Sequence, residues 1–202
     1  MSLLSAAARP RWELIYQNDG DNVTGDTVGD VAWSTDGSSI GAVSTSGVAE
    51  EGWLVVAGRE SLPAVHLRFD AALGSGVLGV GLGPDSDATN PLAKGVTALV
   101  DAPALYTGRL TMRGYVTNTA FRPTFTAYLG TYFTVDARLI GGTYFAFWVN
   151  GAYLGQGSVD TSEIIGSVRL GASDAEAVAA ASATRLRNIK VWKNDLLGEL
   201  PT

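Results

Sequence analysis

Tyr144-Phe145-Ala146-Phe147-Trp148-Val149-Asn150-Gly151-Ala152-Tyr153-Leu154-Gly155 is the stretch that decides the fold. Asn-Gly stands between two apolar runs. A two-residue type I′ turn needs positive φ at both central residues, and Asn-Gly supplies it at low steric cost. Tyr144–Val149 is therefore expected to fold back onto Ala152–Gly155 as a hairpin. The first run is apolar at successive positions, so both its faces meet other side chains and it belongs inside a sheet.

Similar short runs recur on either side. They include Trp12–Tyr16, Val31–Ser34, Trp53–Ala57, Val65–Phe69, Val77–Leu82, Arg109–Thr117, Thr124–Leu129, Ser167–Leu170 and Arg187–Trp192. Glycine, 25 of 202 residues, punctuates them. Many short strands between turn signals point to an all-β sandwich or barrel. In Val65–Asp70, alternation puts Val65, Leu67 and Phe69 on one face and His66, Arg68 and Asp70 on the other. Leu110, Met112 and Val116 oppose Thr111, Arg113, Tyr115 and Thr117 in the same way. The glycine stripe in Leu78–Gly83 leaves bare backbone that a ring, a ligand or another backbone can approach. Gly20-Asp21, Gly25-Asp26 and Gly29-Asp30 are unevenly spaced and read as a turn-rich segment. One short helix is expected near 174–183, because Ser173-Asp174-Ala175-Glu176 fits a capping box ahead of an Ala-rich run.

Composition narrows the function. The chain has 14 Lys and Arg, 20 Asp and Glu, one His and no Cys, for a formal charge of −6. Without Cys there is no disulfide scaffold, thiolate zinc site or Cys nucleophile. Without a basic run, non-specific nucleic-acid binding lacks its phosphate-neutralising charge. Residues 1–11 read as an N-terminal arm and 12–202 as one domain. The start lacks the basic n-region and unbroken apolar stretch of a signal peptide, and no run approaches the roughly 18 apolar residues of a membrane helix.

Phe145–Gly155 resembles the strand, Asn/Asp-Gly, strand hairpin of concanavalin A-like and laminin G-like domains. Val168-Arg169-Leu170-Gly171 is similar to their next strand, and Leu186–Trp192 to their closing strand. The resemblance spans roughly residues 140–195. It implies an antiparallel jelly-roll sandwich of concanavalin A-like type, with glycan binding common among its members.

Glycosidases of that superfamily resemble one another in a Glu-x-Asp-x-x-Glu strand, which sets two carboxylates on one face. The chain has no such run. Glu50 and Glu51 are adjacent and face opposite ways on a strand. Polysaccharide lyases offer a closer likeness. Arg59-Glu60-Ser61-Leu62 and Val65-His66-Leu67 are similar to two of their motifs, and Tyr144 through Tyr153 and Gln156 to a third. The departures are that the first two motifs lie only a few residues apart, and that Val65 stands where the lyases carry Gln. The plain alternative makes His66 an exposed residue on a half-buried strand. As a lyase, the chain would line one groove with His66 and Tyr153.

The remaining candidates are binding residues. Sugars stack on exposed rings through their weakly apolar C–H faces, and Trp33, Trp53, Tyr115, Tyr128, Tyr132 and Tyr153 lie on or beside expected strands. Arg113 beside Tyr115 suits an acidic sugar. Asp19 and Asp21, and Asp85 and Asp87, stand in clusters of oxygen ligands that suit calcium; turn formation accounts for the same composition. The expected role is a non-catalytic, lectin-like sandwich displayed on a larger assembly such as a bacteriophage virion. It would contact other particle subunits through the arm and associate as a homo-oligomer. The alternatives are a purely structural capsid or tail subunit, and a lyase or hydrolase.

Overall fold

The computed structural model describes residues 12–44, 50–61, 65–83, 96–114, 123–140, 144–158, 165–175 and 183–193. Among them are fifteen strands, β1 to β15 in chain order, and no helix. The eight-stranded sheet runs in the order β13 (Ala152–Ser158), β12 (Tyr144–Val149), β11 (Tyr132–Ile140), β6 (Val65–Ala72), β15 (Arg185–Lys193), β4 (Ile40–Ser44) and β3 (Val31–Thr35). Its eighth member, β1 (Glu13–Asn18), pairs with β15. The seven-stranded sheet runs β10 (Thr124–Thr126), β9 (Thr107–Gly114), β8 (Val96–Ala104), β7 (Val77–Gly83), β14 (Ile165–Ala175), β5 (Glu50–Ser61) and β2 (Asp26–Gly29). Every pairing within the two sheets is antiparallel.

The hairpin forms where Asn-Gly predicts it. Asn150 and Gly151 sit at φ 50° and 77°, and Val149 pairs with Ala152. Asn150 also accepts the Thr134 backbone N–H at 2.9 Å on its side-chain oxygen, so the turn is tied to β11 as well. As its apolar pattern requires, β12 has a strand on each side.

Between the sheets lies the core. Val65, Leu67, Phe69 and Ala71 face inward from β6, and Phe133, Val135 and Ala137 from β11. Leu78 and Val80, Ala98 and Val100, and Val168 and Leu170 face them from the other sheet. Burying each such Val, Leu or Phe contributes about 1.5–3 kcal/mol. Leu186 and Ile189 both reach the core although three residues apart. A bulge between Arg187 and Lys190, with Asn188 at φ 51°, supplies the extra residue that makes this possible.

Four readings need correction. The helix near 174–183 does not start at Ser173, because β14 continues as strand through Ala175. Ser173 pairs with Val77 and Ala175 with Glu50. Two neighbouring strands satisfy the backbone there, which outweighs a capping box and local propensity; Ala183 at the far end bridges Ser75 instead of ending a helix. Residues 176–182 lie outside the described residues. Secondly, the Gly-Asp segment contains strand β2 at Asp26–Gly29. Thirdly, β4, β8 and β11 are strands that the sequence reading passed over. Fourthly, His66 is fully buried and not exposed. At the glycine stripe, what comes close is backbone: a Cβ on Gly79 would run into the Ala98 carbonyl of β8.

Candidate functional site

Five connections converge at one end of the sandwich and enclose an open cleft of about 1220 Å³. They are the β3–β4 turn, the β6–β7 connection, the β8–β9 turn, the β10–β11 connection and the residues leading into β15. Hydrogen bonds tie them to one another. The Gly130 N–H donates to the Leu73 carbonyl at 2.9 Å, and the Thr184 N–H to the Ser75 carbonyl at 2.9 Å. The Thr184 hydroxyl accepts from the Gly74 N–H at 3.1 Å and donates to the Gly76 carbonyl at 2.8 Å.

The charges in the cleft are internally matched. Asp36 accepts the Ser38 and Ser39 backbone N–H groups and both hydroxyls, and lies 2.7 Å from Arg185 Nη2. The Ser38 N–H, then the serine hydroxyls, hold its carboxyl well below the usual carboxylate range. Arg185 also donates to the Ser39 hydroxyl and carbonyl. Asp101 is clamped by both Arg109 Nε and Nη2.

Leu105 and Leu129 line the cleft, and next to them in the chain stand the exposed Tyr106 and Tyr128. Leu105 is 66% exposed, Tyr106 56%, Tyr128 58% and Leu129 52%. The two tyrosine rings meet edge to face at 5.4 Å, and the Ala127 N–H donates to the Tyr106 carbonyl at 3.2 Å. Tyr106 has φ 61°, a left-handed conformation that costs a non-glycine residue about 1–2 kcal/mol. Backbone strain of this kind clusters at functional sites.

Of the rings singled out in the sequence, Tyr128 and Tyr132 belong to this end. Tyr132 lines the cleft and carries the Arg187 guanidinium 3.6 Å above its ring. Trp33 is half-buried against the core and is a packing residue. Tyr153 lies elsewhere, exposed on the outward face of β13 against Trp148. Trp53 and Arg113 stand on β5 and β9, with side chains outside the described residues; Tyr115, Asp85, Asp87 and the arm 1–11 also fall outside them. At Asp19 and Asp21 the loop bonds to itself: Asn18 accepts the Gly20 N–H and donates to the Asn22 carbonyl, and Gln17 donates to Asp19. Among the described residues no three His, Cys, Asp or Glu side chains gather as for a metal ion. The sequence reading did not find Tyr106, because Ala-Leu-Tyr-Thr-Gly carries no familiar turn signature.

A second polar cluster lies on the outward face of the eight-stranded sheet. His66 Nε2 is 2.6 Å from Asp136 Oδ1. Arg68 grips the same carboxylate with Nε at 2.9 Å and Nη2 at 3.1 Å. Trp192 stacks on the imidazole at 4.8 Å and Trp12 meets it edge-on at 6.2 Å. Burial pushes the His66 pKa down, with Asp136 opposing only in part. Burial would raise Asp136, but the hydrogen bonds from His66 and Arg68 prevail and hold it low. The imidazole is therefore neutral, donates Nε2–H to Asp136, and leaves Nδ1 without a partner among the described residues. His66 and Tyr153 are three strands apart on this face, about 14 Å at the usual strand spacing. With no exposed surface, His66 cannot share a groove with Tyr153. The two buried carboxylates among the described residues, Asp101 and Asp136, sit on opposite sheets, each clamped by an arginine. Arg169 is buried on the outward face of the seven-stranded sheet, and burial pushes its guanidinium down to about 10.

Two antiparallel sheets in this arrangement define a concanavalin A-like jelly-roll sandwich. Solved structures of that fold match nearly the whole chain. The carbohydrate recognition domain of Emp46p in its potassium-bound form has TM-score 0.60 at 10% identity, covering 94% of this chain and 100% of that one. The endo-β-1,3-glucanase from Pyrococcus furiosus has TM-score 0.59 at 8% identity, covering 93% and 96%. SCLam, a non-specific endo-β-1,3(4)-glucanase from family GH16, has TM-score 0.58 at 12% identity, covering 90% and 91%. No protein-family model and no curated protein matches the sequence. At these identities the likeness is one of fold, a fold that serves sugar recognition and sugar hydrolysis alike.

Proposed function

We propose that this protein is a lectin-like sandwich that binds a glycan at the loop-end cleft without cleaving it. The carrying observation is the ring pair Tyr106–Tyr128, exposed next in the chain to the lining residues Leu105 and Leu129 and fixed by a left-handed backbone at Tyr106. Exposed rings offer a pyranose its stacking surface, and loops bonded to each other pre-organise the site, which lowers the entropy cost of binding. The internally matched charges, Asp36 with Arg185 and Asp101 with Arg109, favour a neutral sugar over an ion. The non-catalytic reading draws on the buried carboxylates, since hydrolysis needs two across one bond, separated by about 5–5.5 Å or about 6.5–9.5 Å. Display on a particle rests on the arm 1–11 and gains no observation from the described residues.

A broad glycan array tests the reading, followed by titration of the best hit. Binding to neutral glycans is expected, with loss in Tyr128→Ala and in Tyr106→Gly. Product analysis after long incubation should find the hit intact. An array without signal, or binding indifferent to both tyrosines, would overturn the site; new reducing ends or unsaturated sugars would overturn the non-catalytic role.

A further inference from the structure

The outward face of the eight-stranded sheet carries a cation, Arg138, that has no carboxylate to itself among the described residues. Register aligns Tyr153, Trp148, Asp136, Arg68 and Lys190 in one row. The next outward-facing row is Gln156, Ala146, Arg138, His66 and Trp192. Asp136 is the carboxylate of these two rows, and it is fully engaged by Arg68 and His66. Arg138 donates no hydrogen bond to it. Its guanidinium lies 4.5 Å above the Trp148 ring, and its buried Nε–H has no acceptor among the described residues. Burial pushes its pKa down, the nearby Asp136 opposes, and the like charge of Arg68 adds to the fall. These two rows therefore hold two arginines around one carboxylate, the second resting on a ring.

Beside that cation lies a stacking surface. Tyr153 packs on Trp148 with ring centroids 5.5 Å apart and is 56% exposed on the edge strand β13. Its hydroxyl donates to Gln156 Oε1 at 3.4 Å, which turns the glutamine amide beside the rings. A small inorganic anion would satisfy the charge and leave the rings unused. A neutral sugar would use the rings and leave the charge. A pyranose bearing a carboxylate uses both.

We propose that the Tyr153–Trp148–Arg138 surface is a second binding site, for a uronic acid residue of an acidic glycan. The sugar's C–H face lies on the exposed Tyr153 ring, which Trp148 backs, and its carboxylate takes a two-point hydrogen bond from the end nitrogens Nη1 and Nη2 of Arg138, since Nε is buried. The Gln156 amide is placed to donate to a ring hydroxyl. This site shares no residue with the loop-end cleft and does not depend on it.

The test uses the whole protein and trigalacturonic acid, compared with its methyl ester, which keeps the rings and removes the charge. Tryptophan fluorescence or calorimetry reads binding. The acid should bind, the ester at least about tenfold more weakly, and the acid's affinity should fall as salt rises. Arg138→Gln should weaken the acid about tenfold or more, roughly the worth of a charge-assisted hydrogen bond. Arg138→Lys should keep only part of the binding, since an ammonium lacks the planar fork. Tyr153→Ala, at an exposed edge position that folding does not need, should also weaken it. Tyr128→Ala should leave it unchanged, which separates this site from the cleft. Equal binding of acid and ester, no binding of the acid up to about 10 mM, or full binding by folded Arg138→Gln or Tyr153→Ala protein would overturn the proposal.

Discussion

Replacing Asp136 by alanine removes the acceptor on which three donors converge. His66 Nε2–H is then left inside the protein with nothing to bond, because the ring has no exposed surface. An unsatisfied buried donor costs about 1–3 kcal/mol. Arg68 loses both its bonds, but its side chain is 41% exposed and can turn to water, so that loss adds at most about 1 kcal/mol. The vacated volume adds about 1 kcal/mol more. Arg68 and Arg138 also lose the charge that separates them. The total is about 3 kcal/mol, the low end of what breaking a buried ion pair costs. For a chain of this size that lowers Tm by about 6–12 °C. Urea denaturation at pH 7, followed by both fluorescence and circular dichroism, measures it. Adding His66→Phe to the alanine variant should return about 1–2 kcal/mol, since the orphaned donor disappears. A loss below about 1 kcal/mol, or no recovery in the double variant, would show that water reaches the cluster and that burial does not make this bond matter.

The same cluster sets an acid limit. In the unfolded chain His66 takes up a proton near the ordinary imidazole value of 6.5, whereas burial holds its folded pKa lower, so stability is full above about that pH and falls as pH drops below it. Asp136, held low in the fold, adds a further loss as pH falls below the ordinary aspartate value of 3.8. Denaturation midpoints at pH 7, 6 and 5 check this, and His66→Phe should flatten the first part of the decline. Gly79→Ala drives a Cβ into the Ala98 carbonyl, which is backbone and cannot swing aside. It should cost about 3 kcal/mol or more, or yield no folded protein on expression. Tyr106→Gly relaxes a left-handed residue and should raise the stability by about 1 kcal/mol, read as a higher urea midpoint, while reducing glycan binding.

Local chemistry explains which parts of the fold were legible. Asn150-Gly151 announces its turn within two residues, and Val65–Phe69 announces its faces by alternation. The same alternation runs through Phe133, Thr134, Val135, Asp136, Ala137 and Arg138 and was available to be read, but the charged residues disguised the strand. The Ala-rich run misled because helix propensity is a property of the segment alone, whereas β14 is held from both sides by β5 and β7. The site was partly legible for a related reason. Tyr128, Tyr132 and Tyr153 could be singled out as rings, but not sorted between cleft and sheet face. His66 and Asp136 meet across 70 residues of sequence, and only the pairing of β6 with β11 brings them together.

Strand β15 has a practical consequence. It enters at Arg185 beside the cleft and leaves at Lys193, where Glu13 of β1 pairs with it. Nine residues of strand put about 25 Å between the cleft and both ends of the described chain. A label or a graft placed at Glu13 or Lys193 themselves is thus held on the far side of the sandwich. An array of copies fixed through the paired Glu13–Lys193 edge would present every cleft outward, so that weak single-site contacts with a repeating ligand could add up in parallel.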